Sequence, residues 1–164
     1  MKKLSAKGQK WLKAVHIFLA AGWVGAGVTL LLMGFCMEAD TGGERFGLDR
    51  AMKFIDDFII IPAANGTLLT AILYALFTGW GWFKHRWITV KWIICVGGIL
   101  FGTFWLGPWL NTLPPISQVK GLEALNDPAY TRARFLNLTW GTVQVASLLF
   151  ALVISTLKPW KKKK

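Results

Sequence analysis

The sequence predicts an all-α integral membrane protein, a four-helix bundle with both termini in the cytoplasm. Three observations carry that prediction. Of 164 residues, 54% are hydrophobic and only 16% charged, with a mean hydropathy of +0.46. Globular domains carry nearer a quarter charged residues, so a soluble fold of this length could not hide the apolar surface. Four apolar segments each reach the roughly 20 residues a helix needs to cross about 30 Å of hydrocarbon. Lysine and arginine are also shared unequally between the two ends of these segments, as cytoplasmic retention requires.

The first span runs over about residues 11–37. It is too long for the apolar region of a cleaved signal and lacks a clear small-residue cleavage site, so it reads as an uncleaved helix. The second covers about residues 54–83, preceded by an amphipathic turn or two at about 49–57. There Ala51, Phe54, Ile55 and Phe58 alternate with Arg50, Lys53, Asp56 and Asp57. This extension is expected to lie in the outer interface, with Asp49 as its cap and Asp56-Asp57 on its solvated face. Pro62 should kink the span. The third span covers about residues 87–113 and loosens at Gly107-Pro108 and Pro114-Pro115. The fourth covers about residues 129–157, with Asp127 as cap and Pro128 in its first turn, where a missing N–H costs nothing. All 164 residues form one transmembrane domain.

Charge then orients the bundle. The N-terminal lysines, the Lys84-His85-Arg86 connection with Lys91, and the C-terminal Lys158 and Lys161–Lys164 fall on one side with no acid among them. All eight acids lie on the other side, from Glu38 to Asp127. The net charge of +11 is therefore a topological signal facing anionic lipid. It does not point to nucleic acid. Trp11, Trp80, Trp82, Trp87, Trp92 and Trp160 cluster at the basic interface, and Trp105, Trp109 and Trp140 toward the other, as an aromatic belt. The lipid bilayer, specifically a bacterial inner membrane, is the expected surroundings.

His16 is the one histidine expected at membrane depth, and an ionisable residue there is a functional hypothesis by default. Its face continues through Ala20, Trp23, Gly27 and Gly34, small enough for a helix or a flat cofactor to approach. This pattern suggests haem b, with His16 as axial ligand to the iron, Trp23 and Gly27 beside the ring, and His85 as a second candidate ligand. The other reading is hydrogen bonding of His16 to a neighbouring helix. A separate polar set, Asn65 on the second span with Asn137, Trp140 and Gln144 on the fourth, outlines an intramembrane ligand pocket or a set of inter-helix hydrogen bonds. Such a pocket would suit a transporter-like or accessory binding protein. Gly98 and Gly102 form a GxxxG pair that supports close helix packing, within the chain or between subunits of a homo-oligomer or larger membrane complex. Cys36 and Cys95 have no metal-binding spacing. No nucleotide, zinc-protease or hydrolase motif is present, and whether the chain is an enzyme stays open.

Two stretches carry a resemblance. Lys13-Ala14-Val15-His16 with Gly22-Trp23-Val24-Gly25, and Gly81-Trp82-Phe83-Lys84-His85-Arg86-Trp87-Ile88 with Val90-Lys91-Trp92, resemble an uncharacterised bacterial family of four-helix integral membrane proteins. More distantly they are similar to the copper-resistance D-like proteins and the J-type protoporphyrinogen oxidases. The resemblance implies a four-helix membrane protein over most of the chain and, at His16 alone, a haem ligand. The other positions shared by the J-type oxidases are not found.

Overall fold

The computed structural model describes residues 3–79 and 81–159, all helix or connection among the described residues. Lys2, Trp80, Trp160 and Lys161–Lys164 lie outside them. Four helical stretches are long and apolar enough to cross a membrane, Ala6–Cys36, Gly42–Phe77, Arg86–Asn126 and Pro128–Leu157. The first is α1 (Ala6–Cys36), capped by the Ser5 hydroxyl on Gly8 N–H. The second joins α2 (Gly42–Ile55) to α3 (Ile61–Phe77) through a π-helical turn, Asp56–Ile60. The third joins α4 (Arg86–Phe101) to α5 (Gly107–Lys120) through another π turn, Gly102–Leu106, and ends in a 3₁₀ turn, Gly121–Asn126. The fourth is α6 (Pro128–Leu157).

Several boundaries differ from those the sequence suggests. Asp49 does not begin a helix. Thr41 does, through a capping box in which its hydroxyl accepts from Glu44 N–H while the Glu44 carboxylate accepts from Thr41 N–H. The face that α2 buries is Arg45, Leu48, Asp49 and Met52, which leaves Phe54 and Phe58 exposed. Pro114 and Pro115 do not end the third stretch, because α2 packs along α5 and tertiary packing outweighs local propensity. Asp127 does cap α6, its carboxylate accepting from Ala129 and Tyr130 N–H at 2.8 and 3.2 Å.

Neighbouring stretches are antiparallel. Leu4 N–H donates to Phe77 O at 3.0 Å and the Tyr74 hydroxyl to Gln9 O at 3.3 Å, tying the start of α1 to the end of α3. Arg134 Nη2 donates to Gly34 O at 2.8 Å, tying the end of α1 to the start of α6. The start of α1, the end of α3 and the end of α6 therefore share one end of the bundle, the lysine-rich one. Glycine lets α1 and α6 close up, since a Cβ on Gly27 would lie 2.9 Å from the Val145 side chain. At the acidic end a Cβ on Gly42 would lie 2.9 Å from Gly121 Cα, and Gly121 has φ +56°, a region that L side chains avoid.

The middle two stretches exchange partners at their π turns. Above them, toward the acidic end, α2 packs on α5; below them α3 packs on α1 and α4 on α6, with little contact between α3 and α4. Two apolar cores result. One lies at the acidic end around Leu48, Met52, Leu110, Leu113, Tyr130 and Ala133. The other lies around Trp23, Val24, Ala63, Ala64 and Leu148.

Candidate ligand cavity

Between these cores lies a cavity of about 350 Å³. Both π turns border it, through Asp56, Asp57 and Ile60 on one side and Gly102, Thr103 and Leu106 on the other. All four long stretches contribute to its wall. Its size suits a small molecule, and most of its lining is apolar with a few polar groups converging. Asn65, Thr103 and Asn111 are exposed at its rim, so the cavity opens between α3 and α5.

The π turns have a shared local cause. Each has a proline two residues after its end, in Phe58-x-x-x-Pro62-x-x-Asn65 and Phe104-x-x-x-Pro108-x-x-Asn111, two copies of one short pattern. In the first, Ile61 N–H bonds Asp56 O, one residue farther back than in an α-helix. The donor that would reach Asp57 O in the same register is Pro62, which has no N–H. In the second, Gly107 N–H bonds Gly102 O and Pro108 leaves Thr103 O in the same position. Asp57 and Thr103, next in that register, both border the cavity. Sequence reading took Pro62 as a kink and Gly107-Pro108 as a loosening; the repeated pattern was the signal that joined them.

The polar side chains have definite partners. Asn65 Nδ2 donates to Ile61 O at 2.8 Å, Asn137 Nδ2 to Leu106 O at 2.9 Å, and Gln144 Nε2 to Gly98 O at 3.1 Å. Lys53 Nζ donates to both Asp57 carboxylate oxygens at 2.8 and 3.1 Å, and to Asn111 Oδ1 at 2.8 Å. That lysine joins α2 to α5 across the acidic-end rim. Asp56 has no ion pair or hydrogen bond from its carboxylate among the described residues. It is half-buried and borders the cavity.

The residues singled out in sequence divide clearly. Trp23, Gly27, Asn65, Asn137 and Gln144 all border the cavity. Trp23 is 4% exposed, in the core beneath it. Gly27 is closed off on one side by Val145, so helix packing rather than a flat cofactor accounts for its size. Trp140 does not border the cavity; it is exposed and meets Phe101 edge to face, with ring centroids 5.8 Å apart. Gly98 and Gly102 face Gln144 of the same chain, the close packing within the bundle that a GxxxG pair allows.

His16 stands apart. Its Nδ1 lies 2.7 Å from Thr70 Oγ1, and its ring meets Tyr74 edge to face at 5.9 Å. The Thr70 hydroxyl has one proton, directed at Gly66 O and Thr67 O at 2.8 and 2.9 Å. Its oxygen therefore accepts from Nδ1–H, which is an inter-helix bond from α1 to α3. His85 is the N-cap residue of α4, with its ring stacked on Trp87. Neither histidine borders the cavity or the narrow void beside Arg45 and Asp49. No group of three or more His, Cys, Asp or Glu side chains could hold a metal ion among the described residues. Comparison with protein-family models, curated proteins and solved structures finds no match for this chain.

Proposed function

We propose that this chain is a small-ligand-binding protein of the bacterial inner membrane, transporter-like or accessory to a membrane complex, with both termini in the cytoplasm. The observation that carries the reading is the cavity of about 350 Å³ bordered by both π turns. π turns in long helices recur at functional sites, and backbone that departs from regular helix at membrane depth is tolerated where it lines a cavity. The lysine-rich end supplies the orientation.

Thermal unfolding in mild detergent or nanodiscs, against a panel of small amphipathic molecules, tests the reading. A true ligand at a hundred times its Kd stabilises the folded state by about 2.7 kcal/mol. Gly102→Leu, which places a side chain in the void, should remove that stabilisation. Uniform indifference to the panel would sink the proposal.

Haem b is the less supported reading. In its favour, Thr70 fixes one nitrogen of His16 and leaves Nε2 without that proton, as second-shell partners of ligating histidines do. Against it, neither His16 nor His85 borders the cavity of about 350 Å³. Protein purified from haem-supplied cells should be colourless. A stoichiometric Soret band lost in His16→Ala would reverse the order of the two readings.

A further inference from the structure

We infer that the cavity selects an amphipathic organic cation, an ammonium group on an apolar body, with Asp56 receiving the charge. The inference rests on the cavity being a ligand site, and names what chemistry that site accepts.

The first argument is the balance of donors and acceptors. Asn65, Asn137 and Gln144 each turn their NH₂ toward a protein carbonyl. Their amide oxygens receive no hydrogen bond among the described residues. The Thr103 hydroxyl likewise directs its proton back to Ile99 O, at 2.8 Å. The three amide oxygens therefore remain open to N–H donors of a ligand, alongside the Asn111 NH₂, whose own oxygen is taken by Lys53.

The second argument is charge. Asp56 and Asp57 are the ionisable side chains in the wall among the described residues. Lys53 already matches Asp57, so Asp56 leaves one uncompensated negative charge beside the void. A charge away from bulk water is strongly disfavoured until a partner arrives. An anion would meet repulsion and few donors. A neutral apolar molecule would leave the carboxylate and the amide oxygens unsatisfied. A bare metal ion would leave the apolar floor, with Trp23, Ile99, Leu110 and Leu148, unfilled. An ammonium on an apolar body satisfies both parts, and the indole of Trp23 is a favourable neighbour for such a cation.

Three matched probes test this on the unaltered protein in lipid nanodiscs by titration calorimetry, with empty nanodiscs subtracted. They are 2-phenylethylammonium, its uncharged isostere propylbenzene, and the anion 3-phenylpropanoate. The expected result is at least tenfold tighter binding of the ammonium than of propylbenzene, with the anion weakest. Asp56→Asn should bring the ammonium down to the level of propylbenzene, whereas Glu123→Gln, in the 3₁₀ turn, should leave the preference intact. Propylbenzene binding as tightly as the ammonium would overturn the cation inference and leave the ligand cavity standing. Binding of none of the three would overturn both. A cation preference that survives in a folded Asp56→Asn protein would remove Asp56 from the role. If that variant does not fold, the ranking of the three probes on the unaltered protein still decides.

Discussion

Asp49 illustrates how far a single residue's role depends on what folds against it. Its carboxylate is fully buried, ion-paired to Arg45 one turn earlier and hydrogen-bonded by the Tyr130 hydroxyl at 2.8 and 3.1 Å. Arg45 also lies over the Tyr130 ring, 5.8 Å from its centroid. This cluster ties α2 to the start of α6. Tyr130→Phe removes one donor and should cost about 1–3 kcal/mol. Arg45→Met leaves a buried carboxylate without its counter-charge and should cost more, about 3–5 kcal/mol. Thermal unfolding in detergent ranks the two, and equal losses would contradict a charged Asp49. Asp49 does not cap: a carboxylate shortly before an apolar run looks alike in sequence whether it caps a helix or is buried within one. Thr41-Gly42-Gly43-Glu44 carried the real signal, a threonine and a glutamate three apart. The residues of the cavity were more legible. Asn65, Asn137 and Gln144 are amides inside apolar runs, and such groups need partners. His16 was legible as a residue needing a partner, but nothing in the sequence pointed to Thr70, which lies on another helix.

At the scale of elements the two π turns dominate. Each prolyl residue withholds a single N–H, and the helix answers by widening one turn rather than breaking. Replacing both prolines by alanine, Pro62→Ala with Pro108→Ala, supplies the missing donors. The unliganded protein should then gain about 0.5–1.5 kcal/mol per restored bond. Any cavity ligand should bind several-fold more weakly, because both widened turns border the cavity. A gain in stability with unchanged affinity would separate the prolines from ligand recognition. Helix existence was readable from apolar length alone, because a bilayer demands about 20 residues whatever the packing. The widened turns were not, because proline in a helix permits a kink, a break or a π turn equally well. Only the duplicated Phe-x-x-x-Pro-x-x-Asn spacing, each copy ending in an asparagine at one void, distinguishes the outcome.

For the molecule as a whole, composition and charge made the class legible, and four long apolar helices appear as expected. Which helix packs on which was not legible, since four nearly uniform apolar surfaces give little directional pattern to read. The acidic end contributes a pH dependence of its own. Lys120 Nζ donates to Asp127 at 2.6 Å, and the Tyr130 and Ala129 amides donate to the same carboxylate. The lysine's hydrogen bond, then those amides, hold the Asp127 carboxyl below its ordinary range. A carboxyl depressed in the folded state stabilises the fold above its unfolded pKa. That contribution disappears as pH falls through the folded value. Asp127→Asn keeps a side chain able to cap α6 but removes the titration. Its stability should accordingly fall less steeply than the parent's below about pH 4, in acid unfolding followed by circular dichroism. Identical slopes would show that other carboxylates govern the acid limit.

The exchange of partners at the π turns also divides the molecule mechanically. The acidic end is a clasp, with α2 locked on α5, Lys53 bridged to Asn111 and glycine backbones in contact at Gly42 and Gly121. At the basic end α1 packs on both α3 and α6, and α4 on α6, while α3 and α4 share little surface. The widened turns fall at the pivot. A molecule held in the cavity therefore touches all four long stretches at the level where the middle two change partners, and acts as a rivet between the two ends.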